Sequence, residues 1–378
     1  MDETLEAPTE SGSVVSADPP EPAPEPVFEP LTLSFTGRYG EYFRIWLLNL
    51  ALSIVTVGLY SPWAKVRRLE YFWRNTRLDG ASFDYHGSPI AIFRGRVAGL
   101  ILFGLYSMTA KAGLVYFGLA LLVIGSVLPM LLLGTLRFRL HNTSYRGLRF
   151  KFTGETRDAY IAFLGWPILS LLSLFTVAPL AHQRMKKYEH GHASYGQTAF
   201  SEDIKAGPFY AAYLAVFFGT FGAFMVVGAA LFTITAIAGA GAKAGAPQSP
   251  PTPPPTPPGW LLLVILAMYL VAILGSQSFL KSRVTNATWN GTRLGPHRFI
   301  STVKARRLLW LTLSNTLATI VTVGLFTPIA QIRTARYLVS AFTITPGSSF
   351  DEVQAAESED VGALGEESAG LFDFDISF

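Results

Sequence analysis

The chain has 378 residues, half of them hydrophobic and only 15% charged, with a formal net charge of +4. A soluble domain carries charge on about a quarter of its residues, so this composition points away from a soluble enzyme and toward a membrane. The absence of cysteine excludes disulfides, thiolate catalysis and Cys-based metal sites.

The charge is strongly segregated. Residues 1–30 hold eight acids and no Lys or Arg, and residues 351–378 hold nine acids and no Lys or Arg, which leaves a basic body between two acidic tails. Rich in Pro, Glu and Ser at one end and in Glu, Ser and Gly at the other, the tails (1–30 and 346–378) are expected to be disordered. Residues 1–30 lack a basic n-region and an apolar h-region, so no signal peptide is expected.

After a short strand-like segment, LTLSFTG (31–37), comes the most informative feature, an internal repeat. YFRIWLLNLALSIVTVGLYSPWAKVRRLEYF (42–72) aligns without gaps on LLWLTLSNTLATIVTVGLFTPIAQIRTARYL (308–338), and YIAFLGWPILSLLSLFTVAPLAHQRMKKY (160–188) is a third copy. All three end in P-x-A-x-x-R-x-x-x-Y: Pro62, Ala64, Arg67, Tyr71; Pro179, Ala181, Arg184, Tyr188; Pro328, Ala330, Arg333, Tyr337. The apolar arm of the first copy has some 14 residues before Gly58 and Pro62 interrupt it, as Gly324 and Pro328 do in the last. An arm that short reads as re-entrant, interfacial or core, not spanning. WAKVRRLEYFWRNT after Pro62 suits an amphipathic helix at the interface.

A second element, N-x4-G-x2-F-x-[YF]-x-G, follows at Asn75, Gly80, Phe83, Tyr85, Gly87 and again at Asn142, Gly147, Phe150, Phe152, Gly154. It reads as a short strand after a glycine turn. Asn286 and Gly291 begin a third, degenerate copy, and YGQTAF (195–200) is a partial one. Four stretches meet the length of about 20 apolar residues that crossing a bilayer requires: 96–110, 113–136, 208–239 and 259–280. A proline-rich loop, 240–258, joins the last two.

Basic clusters at 65–77, 137–157, 184–205 and 281–307 fall on one side only if the three broken helices are re-entrant. The expected fold is therefore an α-helical polytopic membrane protein with short cytoplasmic β elements and a threefold internal repeat of proline-broken, re-entrant helices. It has four spans and a membrane domain over 31–345, with repeats near 31–87, 142–200 and 286–345. A seven-span bundle is the alternative.

FTGRYGEYFRIWLLNLALSIVTVGLYSPWAKVRRLEYFWRNTRLDGASFDYHGSP resembles the signature of the YjgN-like family of bacterial inner-membrane proteins, a family of unknown function. The likeness extends over roughly 32–340, and its first 55 residues are the specific part. It implies an inner-membrane location, with termini expected in the cytoplasm, and brings no catalytic residues.

Ala64, Arg67 and Tyr71 share one helical stripe, as do their counterparts. Arg67, Arg184 and Arg333 are candidates to hold a phosphate or carboxylate near a pseudo-threefold axis; alternatively each donates to backbone carbonyls freed by the Gly and Pro break. Trp63, Tyr71, Phe72 and Trp73 interleaved with Lys65, Arg67, Arg68 and Arg74 form an aromatic belt with basic anchors that contacts anionic headgroups, not nucleic acid. His182, Glu189, His190 and His192 are read as a solvated loop and not as a metal site. The sequence holds no P-loop, G-x-S-x-G or H-E-x-x-H, so neither an enzyme nor a cofactor is expected. Three classes remain: a membrane scaffold contacting lipid or, through its acidic tails and the terminal LFDFDISF, a protein partner; a channel or transporter for an anionic solute; and a lipid-modifying enzyme, disfavoured by the lack of paired acids or a nucleophile.

Overall fold

A computed structural model describes residues 29–244 and 259–347. The acidic tails beyond those limits, LFDFDISF and residues 245–258 of the proline-rich loop lie outside the described residues.

The short strand-like segments are the organising element of the fold. Eleven strands form one antiparallel sheet: β1 (Leu31–Thr32), β2 (Ser34–Phe35), β3 (Thr76–Leu78), β4 (Ala81–Tyr85), β5 (Thr143–Tyr145), β6 (Leu148–Phe152), β7 (Ala193–Tyr195), β8 (Thr198–Glu202), β9 (Thr292–Leu294), β10 (His297–Ser301) and β11 (Phe342–Thr345). The order is β1-β11-β10-β9-β8-β7-β6-β5-β4-β3-β2. Its two ends, β1 and β2, are separated by Leu33 alone, so the sheet curls into a nearly closed barrel.

The register recurs around the ring. Leu78 opposes Ala81, Tyr145 opposes Leu148, Tyr195 opposes Thr198 and Leu294 opposes His297 across tight turns, and at the seam Ile344 opposes Leu31 in the same register with no turn to join them. The first two turns place consecutive residues at positive φ, Asp79–Gly80 and Arg146–Gly147, as a type I′ hairpin requires. At the opposite rim the facing pairs are Phe35 with Thr76, Tyr85 with Thr143, Phe152 with Ala193, Glu202 with Thr292 and Ser301 with Phe342. A helical hairpin leaves and returns between the two strands of each of these pairs.

This arrangement overturns the expectation of a helical polytopic chain with short β elements and a threefold repeat. The chain builds five strand–hairpin–strand units on one eleven-stranded sheet. The third strand motif starts at Gly291, the counterpart of Asn75, and not at Asn286. Asn286 instead ties the rim, accepting from Ser301 Oγ (2.8 Å) and the Val303 N–H (2.9 Å).

Side chains alternate across a strand, and the inward set fills the barrel. One buried layer takes the same position from each unit: Leu78, Tyr145, Tyr195, Leu294 and Ile344. Leu33, Phe83, Phe150, Phe200 and Phe299 pack against it. The Tyr145 hydroxyl donates to the Leu78 carbonyl and the Tyr195 hydroxyl to the Tyr145 carbonyl, each at 2.9 Å, so the buried phenols are satisfied. The interior is a packed aromatic core and not an open lumen.

Three units carry short hairpins and two carry long ones. The short hairpins are α1 (Tyr39–Val55) with α2 (Ser61–Arg74), α5 (Thr156–Tyr160) continuing through a π-helical turn (Ile161–Gly165) and α6 (Trp166–Leu172) to α7 (Ala178–Gly191), and α10 (Ala305–Val321) with α11 (Thr327–Ser340). The π turn lies just ahead of Pro167, which has no N–H to give an α-helical ladder. The long hairpins are α3 (Pro89–Ala112) with α4 (Leu114–His141) and α8 (Gly207–Ala244) with α9 (Gly259–Asn290); α8 therefore absorbs the first residues of the expected proline-rich loop. Among the described residues four helical stretches are long and apolar enough to cross a membrane: Pro89–Thr109, Leu114–His141, Gly207–Ile237 and Gly259–Asn290. Neighbouring hairpins touch in ring order through α2 and α3, α4 and α5, α7 and α8, α9 and α10, and α11 and α1.

Candidate functional site

The short hairpins share one design at the tip. Each has a 17-residue first arm, a five-residue turn and a 14-residue second arm that packs back along the first. Thus α2, the charged helix after Pro62, is the returning arm of the first hairpin. Each turn puts two consecutive residues in the left-handed region: Val57 (φ 51°) and Gly58 (86°), Leu174 (52°) and Phe175 (65°), Val323 (50°) and Gly324 (91°). Positive φ is a genuine outlier for a β-branched residue, so the turn conformation is imposed by its surroundings.

Its hydrogen bonding is complete on the donor side. In the first hairpin the N–H groups of Thr56, Val57, Gly58, Leu59 and Ser61 donate to the carbonyls of Leu52, Ile54, Ser53, Thr56 and Gly58 (2.7–3.1 Å). The remaining one, Tyr60 N–H, donates to Thr56 Oγ1 at 3.0 Å, and that hydroxyl donates onward to the Leu52 carbonyl at 2.7 Å. Ser173 and Thr322 play the part of Thr56 in the other two, receiving the Val177 and Phe326 N–H groups at 3.3 and 2.9 Å. While the backbone is closed on itself, the side chains point outward. Val57 is 91% exposed, Leu174 84% and Val323 91%, and Val55, Leu59, Leu172, Phe175, Val321 and Leu325 are exposed with them.

Further down each hairpin the repeated residues serve the join to the barrel. Pro62, Pro179 and Pro328 are buried in the first turn of the returning arm, where a missing N–H costs nothing. The Tyr71 hydroxyl donates to the Arg38 carbonyl (3.0 Å) and accepts the Arg38 N–H (2.8 Å). Tyr337 does the same with Lys304 (3.2 and 2.7 Å), and Tyr188 donates to the Glu155 carbonyl (3.0 Å). Arg38, Glu155 and Lys304 each precede the first arm of their hairpin, so the tyrosine clamps the root of the hairpin shut. Burial pushes the Tyr188 phenol up to about 12, which keeps it a neutral donor.

The arginine stripe sits between root and tip. Arg67 lies over the Tyr60 ring (5.7 Å), Arg184 over Trp166 (5.5 Å) and Arg333 over Phe326 (5.8 Å). Arg333 also donates to Asn315 Oδ1 (2.8 Å) and Ser314 Oγ (3.2 Å). Asn315 and Asn49 in turn bond across their hairpins to the Ala330 (3.3 Å) and Ala64 (3.5 Å) carbonyls. Sequence reasoning missed a fourth member, Arg283, over Phe279 at 5.3 Å. It lacks the proline context of the others. The signal that finds it is spacing: Arg67, Arg184, Arg283 and Arg333 each stand eight residues before the residue that immediately precedes the next strand (Asn75, His192, Gly291, Ala341).

Arg184 and Tyr188 also line a cleft of about 470 Å³, together with Trp166, Lys187, His192 and Glu202. Lys187 pairs with Glu202 there at 3.1 Å. The histidines are not on a solvated loop. His182 packs on Phe209 with its Nδ1 3.0 Å from the Tyr213 hydroxyl, His190 packs on Trp289 beside Thr292, and His192 lies against Tyr188. Burial pulls His190 down to about 4, so it is neutral at physiological pH. Among the described residues no group of three His, Asp or Glu is placed to hold a metal ion.

Residues 30–371 match the family described as "Bacterial protein of unknown function (DUF898)". The chain belongs to that family. Among its relatives, the "Inner membrane protein YjgN" of Salmonella typhimurium is 30% identical over 154 residues, covering 39% of this chain and 37% of that protein. The proteins of the same name from Escherichia coli O157:H7 and K12 are each 28% identical over 144 residues, covering 38% of this chain and 36% of theirs. The chain therefore aligns with little more than a third of the length of these relatives. No solved structure matches it.

Proposed function

We propose that the protein is a non-enzymatic scaffold of the bacterial inner membrane, seated by all five hairpins with its barrel resting on the cytoplasmic surface, and that it binds anionic lipid headgroups. The observation that carries this reading is the tip of each short hairpin, where the backbone donors are all used internally and the side chains are exposed and apolar. That combination is needed in hydrocarbon, where an unsatisfied backbone group costs several kcal/mol. In water the same tips would expose apolar surface without gain.

Lengths support a common seating. At 1.5 Å per residue the arms of the short hairpins are about 21–26 Å long and the long helices about 36–57 Å. With the barrel rim just outside a hydrocarbon core of about 30 Å, the long helices cross and the short hairpins turn back near the midplane. Arg67, Arg184 and Arg333 then lie nine residues, or about 13 Å, from Gly58, Phe175 and Gly324, which brings them to headgroup level. Arginine there anchors to phosphate. The names of the relatives and the positive-inside rule favour the inner membrane with the barrel in the cytoplasm. The packed barrel core weighs against a solute pathway along the barrel axis.

Single cysteines in this cysteine-free chain test the seating. A cysteine at Val57 is expected to resist water-soluble maleimide from both sides and, carrying a fluorophore, to be quenched by lipids brominated in mid-chain. Cysteines at Leu114 and at Ser82 on the barrel should label from opposite sides. Reaction at Val57 with the aqueous reagent in sealed vesicles would overturn the reading.

A further inference from the structure

We infer that the protein bends membranes, making the leaflet that faces its barrel convex, and that it gathers on membrane already curved in that sense. The inference rests on the proposed seating and adds to it the consequence of mixing two hairpin lengths on one rim.

The two long hairpins contribute four helices that pass through both leaflets. The three short ones contribute six helical arms that reach only the barrel-side leaflet. With a helix diameter of about 10 Å, each arm occupies roughly 80 Å², so the barrel-side leaflet must accommodate roughly 500 Å² more protein than the far one. A body wider in one leaflet than in the other fits a curved bilayer better than a flat one. The barrel adds width on the same side.

A wedge bends a bilayer only if it is stiff and held at constant depth, and the structure supplies both. All five hairpins are rooted in one rim in a single register, so the depth of the tips is fixed by the barrel and not by each hairpin separately. The first and last hairpins, both short, are neighbours across the barrel seam and are bolted together. Buried Tyr42 of α1 bonds Gln331 of α11 and stacks on Tyr71 at 5.1 Å. Arg336 of α11 donates to the Gly37 carbonyl (3.1 Å) and to the Tyr39 hydroxyl (3.2 Å) and lies over the Tyr39 ring (5.0 Å). Four short arms thus form one rigid block with no spanning helix between them, and that flank is where the far leaflet is least supported.

The test uses the full chain, fluorescently labelled and reconstituted at low density into phosphatidylethanolamine–phosphatidylglycerol vesicles of mixed size, with protein per unit membrane area read on single vesicles. Protein oriented barrel-outward is expected to be several-fold denser on the smallest vesicles than on the largest, and protein oriented barrel-inward, identified by protection from external protease, to be depleted there. The triple variant Val57→Asp, Leu174→Asp, Val323→Asp, whose charged tips draw water and headgroups into the barrel-side leaflet and so relieve the wedge while the long hairpins still anchor, should lose the size dependence. The opposed response of the two orientations needs no variant, so the inference stays exposed if the triple substitution fails to fold. Equal density on all vesicles in both orientations, with the Val57 label still quenched by mid-chain bromines, would sink the curvature inference and leave the seating intact. An unquenched label would remove the seating itself and the inference with it.

Discussion

The long hairpins and the short ones start from the same rim, between strands paired in the same register, yet on the proposed seating they solve the problem of an apolar surrounding differently. A long helix keeps its backbone satisfied by continuing, and on that seating its reversal falls where solvent is available: the α3–α4 turn is a single Gly113 at φ 120° followed by exposed Leu114 and Val115. A short hairpin reverses in mid-course and must close every donor within five residues, which it does with two left-handed residues and one hydroxyl. The lesson is that hairpin length and turn chemistry are coupled. A turn can be simple only where water can finish its hydrogen bonds.

The largest effect is expected where both kinds of hairpin share a foundation. Tyr195→Ala empties part of the barrel layer and leaves the Tyr145 carbonyl without its donor; loss of a buried aromatic side chain costs about 3–5 kcal/mol. Detergent-solubilised protein should show a much lowered melting temperature, with short-hairpin and long-hairpin labels released together. Release of one set alone would mean that the barrel does not hold them in common. Next comes a charge at the two kinds of tip. Val57→Asp should cost about 3 kcal/mol of insertion, the figure for an acid at bilayer depth, whereas Val115→Asp should change membrane yield and stability little. Similar losses at both would erase the distinction between them. The smallest effect runs the other way. Phe175 holds the left-handed position that Gly58 and Gly324 hold elsewhere, and a non-glycine residue there costs roughly 1–2 kcal/mol. Phe175→Gly should therefore stabilise the third hairpin by up to about 1 kcal/mol, seen as slower hydrogen exchange at Leu174–Ala178. Faster exchange would show that the phenyl ring itself holds the turn.

Much of the helical layer was legible. Four long apolar runs coincide with the four helices of membrane-crossing length, because hydrophobic length is written locally in a sequence. The proline and glycine punctuation marked the short hairpins for the same reason. The barrel was not legible as such. Its strands are two to five residues long, too short for an alternating pattern to stand out, and their partners lie up to 313 residues away, as Leu31 does from Ile344. YGQTAF and the segment after Gly291 passed for fragments because they keep the Phe (Phe200, Phe299) but lack the Asn, the second aromatic residue and the closing Gly of the motif, although their registers match the rest. The two long units escaped the repeat because their helices share no motif with the short ones; only the strands flanking them reveal the kinship. For the tyrosines, spacing identified the residues and the structure supplied the role, since a clamp 33 positions away leaves no local trace.

The seam between β11 and β1 has a consequence for how such a chain comes to be. The barrel acquires its last stave only when Phe342–Thr345 has been synthesised and meets Leu31–Thr32 from the opposite end. By then every helical hairpin has already been synthesised, so the sheet can be completed only after all five of them are made. Four tight turns have meanwhile brought the intervening strands side by side, and the gap to be bridged is one strand spacing, about 4.8 Å, not the contour of some 300 residues. Closure is then a zipper's last tooth, and it is also a checkpoint: a chain truncated before Phe342 would carry its membrane helices and still present two open sheet edges, the kind of surface that recruits other strands.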